Sequence, residues 1–206
     1  IITKNTCSNV KRETPNNVEV IRNDFQLNIF EKISSITQIL SATVWKEFQF
    51  IKRNNIKLSK TVFSYIFLSL KRAKKIARFT DNLIQKEALN SKIYLYSYWW
   101  MDESLAIALY KTINPNVIAF SRTHRMDLYF YSNSSGYLPY KQLALDSLDA
   151  LFSISKDGIN YIKNVLNLNI TKDINLSYLG TKKFISENNV IISADSNNIF
   201  SCSNIY

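Results

Sequence analysis

The chain has 206 residues and carries 26 lysines and arginines against 16 acidic side chains, a formal net charge of +10 with a pI near 9.5. At 46% hydrophobic and 20% charged it reads as globular rather than disordered, and it is long enough to bury a core of its own. One histidine and two distant cysteines leave no zinc-type ligand set, three glycines leave no Gly-rich phosphate loop, and no apolar run has the length of a membrane span.

The opening "IITK" reads as the middle or end of a strand, which predicts a chain cut from a longer protein. The stretch "LNIFEKISSITQIL" then places Leu27, Phe30, Ile33, Ile36 and Leu40 on one face at helical spacing. "VWKEFQFIKRNN" continues that rhythm with Trp45, Phe48 and Ile51. "SKTVFSYIFLSLKRAKKIARFTDNLIQKEAL" is the longest helical candidate, with Val62, Ile66, Leu70, Ala73, Ile76, Ala77 and Ile84 along its apolar face and Ser59 as its cap. Neither Pro nor Gly interrupts the chain between Pro15 and Pro115.

The rhythm changes in the second half. "KIYLYSYW" predicts an aromatic strand near 92–99, "DESLAIALYKTI" a helix capped by Asp102, and "NVIAF" a strand. A turn cluster follows at "SNSSGYLP", then a short helix at "YKQLALDSL", a strand at "ALFSIS", a helix at "KDGINYIKNVL" capped by Ser155, and a strand at "INLSYLG". Strand–helix alternation of this kind predicts an α/β fold, a Rossmann-like parallel sheet flanked by helices and doubly wound, with a helical insert over about 26–90. "NVIISA" and "NIFSCSN" near the end are strand-like, and the second reads as the first strand of a further unit.

In a parallel sheet the loops beyond the carboxyl ends of the strands meet on one edge, and ligands collect there. Three polar clusters fall at such positions: Tyr98-Trp99-Trp100, Arg122-Thr123-His124, and Ser155-Lys156. Their convergence argues for a site more than any one residue does. The single imidazole, in "SRTHRMD", titrates near neutrality and can donate or accept a proton; the plain alternative has it capping a strand end. Arg122 and Arg125 suit an anionic group in fork fashion, unless one merely pairs with Asp127. Of the adjacent tryptophans at least one is expected in the core, since neighbours on a strand face opposite ways. Asp146 and Asp149, three apart, read as a helix face, not a catalytic carboxylate pair. No D-x-D appears, and no metal is expected.

The succession "IYLYSYWW", "RTHRMDLYFY", "GYLPY", "DALFSISKDGINYI" and "LSYLG" resembles the N-terminal half of family 4 glycosyltransferases, the GT-B type that builds capsule and exopolysaccharide; the likeness covers about half the chain. The resemblance implies a two-lobed retaining enzyme with facing Rossmann-like lobes. Residues 1–190 would form the N-terminal, acceptor-side lobe, incomplete at its start. Residues 191–206 would form a linker and the first strand of a donor-binding lobe that is not present. By position His124 matches the histidine that reaches the donor sugar, orienting hydroxyls and supporting charge. Arg122 and Asp127 shape its loop, Tyr98, Trp99, Ser155 and Lys156 line the cleft, and the partners are a nucleotide-sugar donor and a saccharide or lipid-linked acceptor, with no cofactor. The second lobe's paired glutamates are missing, so the isolated chain is expected to be inactive.

Two unpaired cysteines predict reduced thiols and a cytoplasmic setting. "KRAKKIAR", Lys71 to Arg78, either is a solvated helix face or brings the protein to the inner face of an anionic membrane. A non-catalytic Rossmann-like interaction domain and a basic nucleic-acid-binding domain are the rival readings; no RRM, KH or zinc signature supports the second, and nucleic acid is not expected as a partner.

Overall fold

The computed structural model describes residues 21–86 and 92–180, with residues 2, 3, 16 and 19 besides. Cys7, Cys202, the strand-like runs "NVIISA" and "NIFSCSN" and the whole 191–206 segment lie outside the described residues. Within "IITK", Ile2–Thr3 is a short strand (β1) that pairs in parallel with Ile21–Arg22 (β2).

The predicted first helix is the largest departure. It forms as α1 (Ile29–Ser34) and then tightens into a 3-10 turn over Ser35–Leu40. Ser35 Oγ donates to the Lys32 carbonyl at this switch, and the three-residue period that follows breaks the predicted face. Leu27 is buried, but Phe30, Ile33, Ile36 and Leu40 are exposed. The buried side chains of the turn are polar, Ser35 and Gln38, with Ile39 partly buried against the core, and Gln38 Nε2 donates to the Phe67 carbonyl at 3.0 Å.

Helix α2 (Ala42–Arg53) starts on Ser41, whose hydroxyl accepts from the Val44 N–H, and α3 (Lys60–Lys86) starts on Ser59, which accepts from Val62. The periodicity of α3 holds: Val62, Ile66, Leu70, Ala73 and Ile76 are buried with Val44, Phe50 and Ile51. Trp45 on α2 is exposed instead. The same cluster takes in Leu105 and Ala106 of α4 (Asp102–Ile113), so the helical insert shares its core with the α/β part. Asp102 does not cap α4. It is the first helical residue, and its carboxylate accepts from the Ser69 hydroxyl and pairs with Arg72, bolting α4 to α3.

The α/β part is an all-parallel, four-stranded Rossmann-like sheet: β3 (Tyr94–Ser97), β4 (Ile118–Thr123), β5 (Ala150–Ser153) and β6 (Ile174–Leu176), in that spatial order. Between them run α4, the single turn α5 (Arg125–Leu128), α6 (Lys141–Ser147) and α7 (Lys156–Asn164). With sequential strand order and crossovers of one hand, the connecting helices share one face, where Leu151 packs with Ala108, Ala144, Leu145 and Ile162. The doubly wound reversal expected from the sequence does not occur among these four strands. Their opposite face carries a file of aromatics, with Tyr96 stacked on Phe120 at 5.2 Å and Phe120 meeting Phe152 at 6.1 Å. Asp149 lies past the end of α6, so it shares no helix face with Asp146; its carboxylate takes the Ala119 N–H and pairs with Lys111. Among the described residues no helix is long and apolar enough to cross a membrane.

Candidate functional site

Because β3, β4 and β5 are parallel and register Ser97 with Ser121 and Thr123 with Ser153, the residues that follow them leave from one edge. At that edge is a cavity of about 210 Å3 walled by Thr123, His124, Arg125, Tyr129, Ser153 and Ser155, among others.

His124 is the first residue after β4, and only 7% of it is exposed. Neither Nδ1 nor Nε2 has a hydrogen-bond partner; the Asp127 carboxylate is 3.8 Å from Nδ1, too far to bond. Burial lowers its pKa below the ordinary histidine value, Asp127 pulls it back up, and Arg122 lowers it further. Burial thus favours the neutral imidazole; both ring nitrogens are shielded from solvent without a hydrogen-bond partner, while the residue forms part of the cavity wall. The rings of Tyr98 and Trp99 each lie 4.5 Å from it and fix its plane. Both are half exposed, while Trp100 is buried as expected, though the pair lies in the turn after β3 and strand alternation is not the cause.

Asp127 sits beneath the site, fully buried. Its two oxygens accept the N–H of His124 and of Trp100, each at 2.6 Å, so one carboxylate ties the loop after β3 to the loop after β4. Burial raises its pKa, and the nearby Lys141 ammonium opposes that. Lys141 is itself enclosed: it donates to the Trp100 and Asp127 carbonyls and stands 4.6 Å over the Trp100 ring. Desolvation brings its pKa down to about 8, against the pull of Asp127, Asp102 and Glu47.

Ser155 caps α7, accepting from the Gly158 N–H at 3.0 Å, and lines the cavity with His124. Gly158 permits the close approach of α7 to β5: a Cβ there would come within 2.4 Å of Ser153 Oγ. Tyr129 completes the wall and donates to the Asp157 carboxylate, and this bond and burial push its hydroxyl up to about 12.

Of the residues predicted from sequence, His124 and Ser155 share the cavity, Tyr98 and Trp99 pack on the imidazole, and Asp127 holds the turn. Arg122 and Lys156 are outside the wall. Arg122 points along the sheet face and donates to Ser177 Oγ at 2.9 Å, beyond β6; it does not pair with Asp127. Lys156 is exposed on the first turn of α7. Lys141 and Tyr129 escaped the sequence reading: nothing in "YKQLALDSL" marks its lysine as the one that burial encloses.

A second buried carboxylate, Glu47 on α2, accepts from the Tyr137 hydroxyl and from the Tyr140 N–H. Tyr140 is left-handed, with φ of 59°, a strained state for a tyrosine. The bond to Glu47, together with its own hydroxyl on the Ile66 carbonyl, holds it there. Desolvation raises the Glu47 pKa to about 7. "GYLPY" is thus the joint between the helical insert and the helix bearing Lys141. Among the described residues no three His, Cys, Asp or Glu side chains gather as a metal would need. Comparison of the chain with family models, curated proteins and solved structures returns no match.

Proposed function

We propose that this chain is the acceptor-side lobe of a retaining glycosyltransferase of the GT-B type, moving a sugar from a nucleotide-sugar to a saccharide or lipid-linked acceptor in surface-polysaccharide synthesis. The observation that supports this reading best is the imidazole of His124: nearly sealed, neutral, with both nitrogens unsatisfied, at a cavity on the carboxyl edge of a parallel sheet. An unsatisfied buried polar group costs roughly 1–3 kcal/mol; sugar hydroxyls supply both donor and acceptor once the Tyr98 and Trp99 rings over the imidazole shift to admit them. A volume of about 210 Å3 suits one ring-sized group rather than a whole disaccharide. Tyr98 and Trp99, half exposed beside the imidazole, offer apolar ring faces of the kind sugars stack on.

In this reading His124 binds and orients hydroxyls of the transferred sugar and supports charge that builds in the transition state. It does not act as a lone base. Asp127 and Lys141 position the loop and touch no substrate. A lipid-linked acceptor would make the protein peripheral to the inner face of a membrane.

The test is transfer by the protein carrying both lobes. His124→Ala is expected to lower kcat/KM about 100-fold, the scale of one preorganised transition-state contact, while cooperative unfolding is retained at a somewhat lower midpoint because a buried ring is removed. Trp99→Ala is expected to raise the acceptor KM and, because its ring holds the His124 plane, to lower kcat by a smaller factor than His124→Ala does. Transfer undiminished in the His124 variant contradicts the reading and favours a non-catalytic docking domain.

A further inference from the structure

The α1 helix and the 3-10 turn after it present Ile29, Phe30, Ile33, Ile36 and Leu40 to solvent, with Phe30 at 81% and Leu40 at 88% exposure. No residue of α1 is buried. A six-residue helix gains nothing by forming alone, and contiguous exposed apolar side chains mark an interaction surface. Directly beside this row, between α1 and α3, opens a cleft of about 420 Å3 lined by Lys71, Lys74, Lys75 and Arg78 with Glu31 and Gln38. Among the described residues only one of those cations is matched by an ion pair in the cleft: Lys75 meets Glu31 at 3.0 Å. Partial burial lowers the pKa of Lys74, and repulsion from Arg78 and then Lys71 adds to it. An anion in the cleft relieves that repulsion.

We propose that this face docks on an anionic membrane, with Phe30, Ile33 and their neighbours entering the interfacial layer and a lipid phosphate seated in the Lys71–Lys74–Arg78 cleft. Apolar side chains beside unmatched positive charge are what such a surface requires. Charge complementarity selects it over a second copy of this chain, which also carries +10 and brings the same lysines. The face involves no residue of the His124 cavity, so the two proposals stand or fall separately.

The experiment is flotation of the 206-residue chain with phosphatidylcholine vesicles, with and without phosphatidylglycerol, over a range of salt. Binding is expected only to vesicles containing phosphatidylglycerol, weakening as salt rises. The combined Lys71→Gln, Lys74→Gln and Arg78→Gln variant is expected to bind about 100-fold more weakly, at roughly a fivefold loss per cation. Phe30→Ser with Ile33→Ser is expected to lose the binding that persists at high salt. These side chains are exposed or half-exposed, so unfolding curves of both variants should overlay the wild type. Inorganic phosphate and glycerol phosphate added free serve as competitors: strong competition at low concentration would mean a soluble phosphate ligand and overturn the membrane assignment. So would absence of binding to anionic vesicles, binding equal in all variants, or a wild-type dimer in sedimentation that Phe30→Ser with Ile33→Ser dissolves.

Discussion

Glu47 shows how one side chain spreads its effect. An unfolded glutamate ionises near 4.5, whereas burial raises this one to about 7 in the folded chain. The folded state therefore holds the proton more tightly. Its contribution to stability is full below pH 4.5, declines as pH rises through that window, and is gone above about 7. The decline is about 1.4 kcal/mol per pH unit, or roughly 3 kcal/mol across the window. Glu47→Gln removes the titration and keeps an acceptor for Tyr137 and Tyr140. Urea midpoints of the two proteins at about pH 5 and about pH 8 should show the wild type losing ground to the variant as pH rises. A constant difference would mean that Glu47 titrates normally. At the same scale His124 was legible in the sequence, since it is the only imidazole and follows an apolar strand. Glu47 was not, because "VWKEFQF" gives no sign that tertiary packing turns its glutamate inward.

Among the elements, α7 has the sharpest constraint. Its nine residues lie so close to β5 that Gly158 has no room for a methyl group. Gly158→Ala gains about 1 kcal/mol of helix propensity. Against this, Ser153 Oγ is held by its bond to the Ser155 carbonyl and Leu128 Cδ2 would stand 3.1 Å away. Overpacking of this kind costs about 1–3 kcal/mol, so the variant is expected to be less stable by about 1 kcal/mol in urea unfolding. Equal or greater stability would show that α7 can move off the sheet freely.

The strands and helices from Tyr94 onward were readable because alternating apolar runs, Ser155 as a cap and the Gly136 turn agree with one another. Gly136, with φ of 63°, occupies the left-handed region that its turn needs. The first helix misled for the opposite reason. Its apolar spacing fits a 3.6-residue period, but the chain tightens at Ser35 and Gln38 turns inward to bond the Phe67 carbonyl of α3. Periodicity shows which side chains share a face. It does not show whether that face meets the core.

Taken whole, the molecule is a four-stranded parallel sheet with helices on one face, a helical insert welded to α4, and two separate features facing outward: the His124 cavity and the apolar–basic face of α1 and α3. The all-parallel sheet, and the one edge from which the loops after its strands leave, follow from strand–helix alternation. The charge of +10 does not by itself say where the charge gathers; helical spacing puts Lys71, Lys74, Lys75 and Arg78 on one face of α3, and the packing of α1 beside it makes that face a cleft. The glycosyl transfer reading depends most on carbohydrate reaching the imidazole. Because the chain holds one histidine, 15N-histidine labelling gives a single imidazole spin system that can be followed by NMR while nucleotide-sugars and saccharide acceptors are titrated in. A saturable shift of both ring nitrogens, with cross-peaks from sugar protons to the His124 ring and to Trp99, is the predicted result; an imidazole unmoved by every saccharide, in the chain alone and in the two-lobed protein, would contradict it.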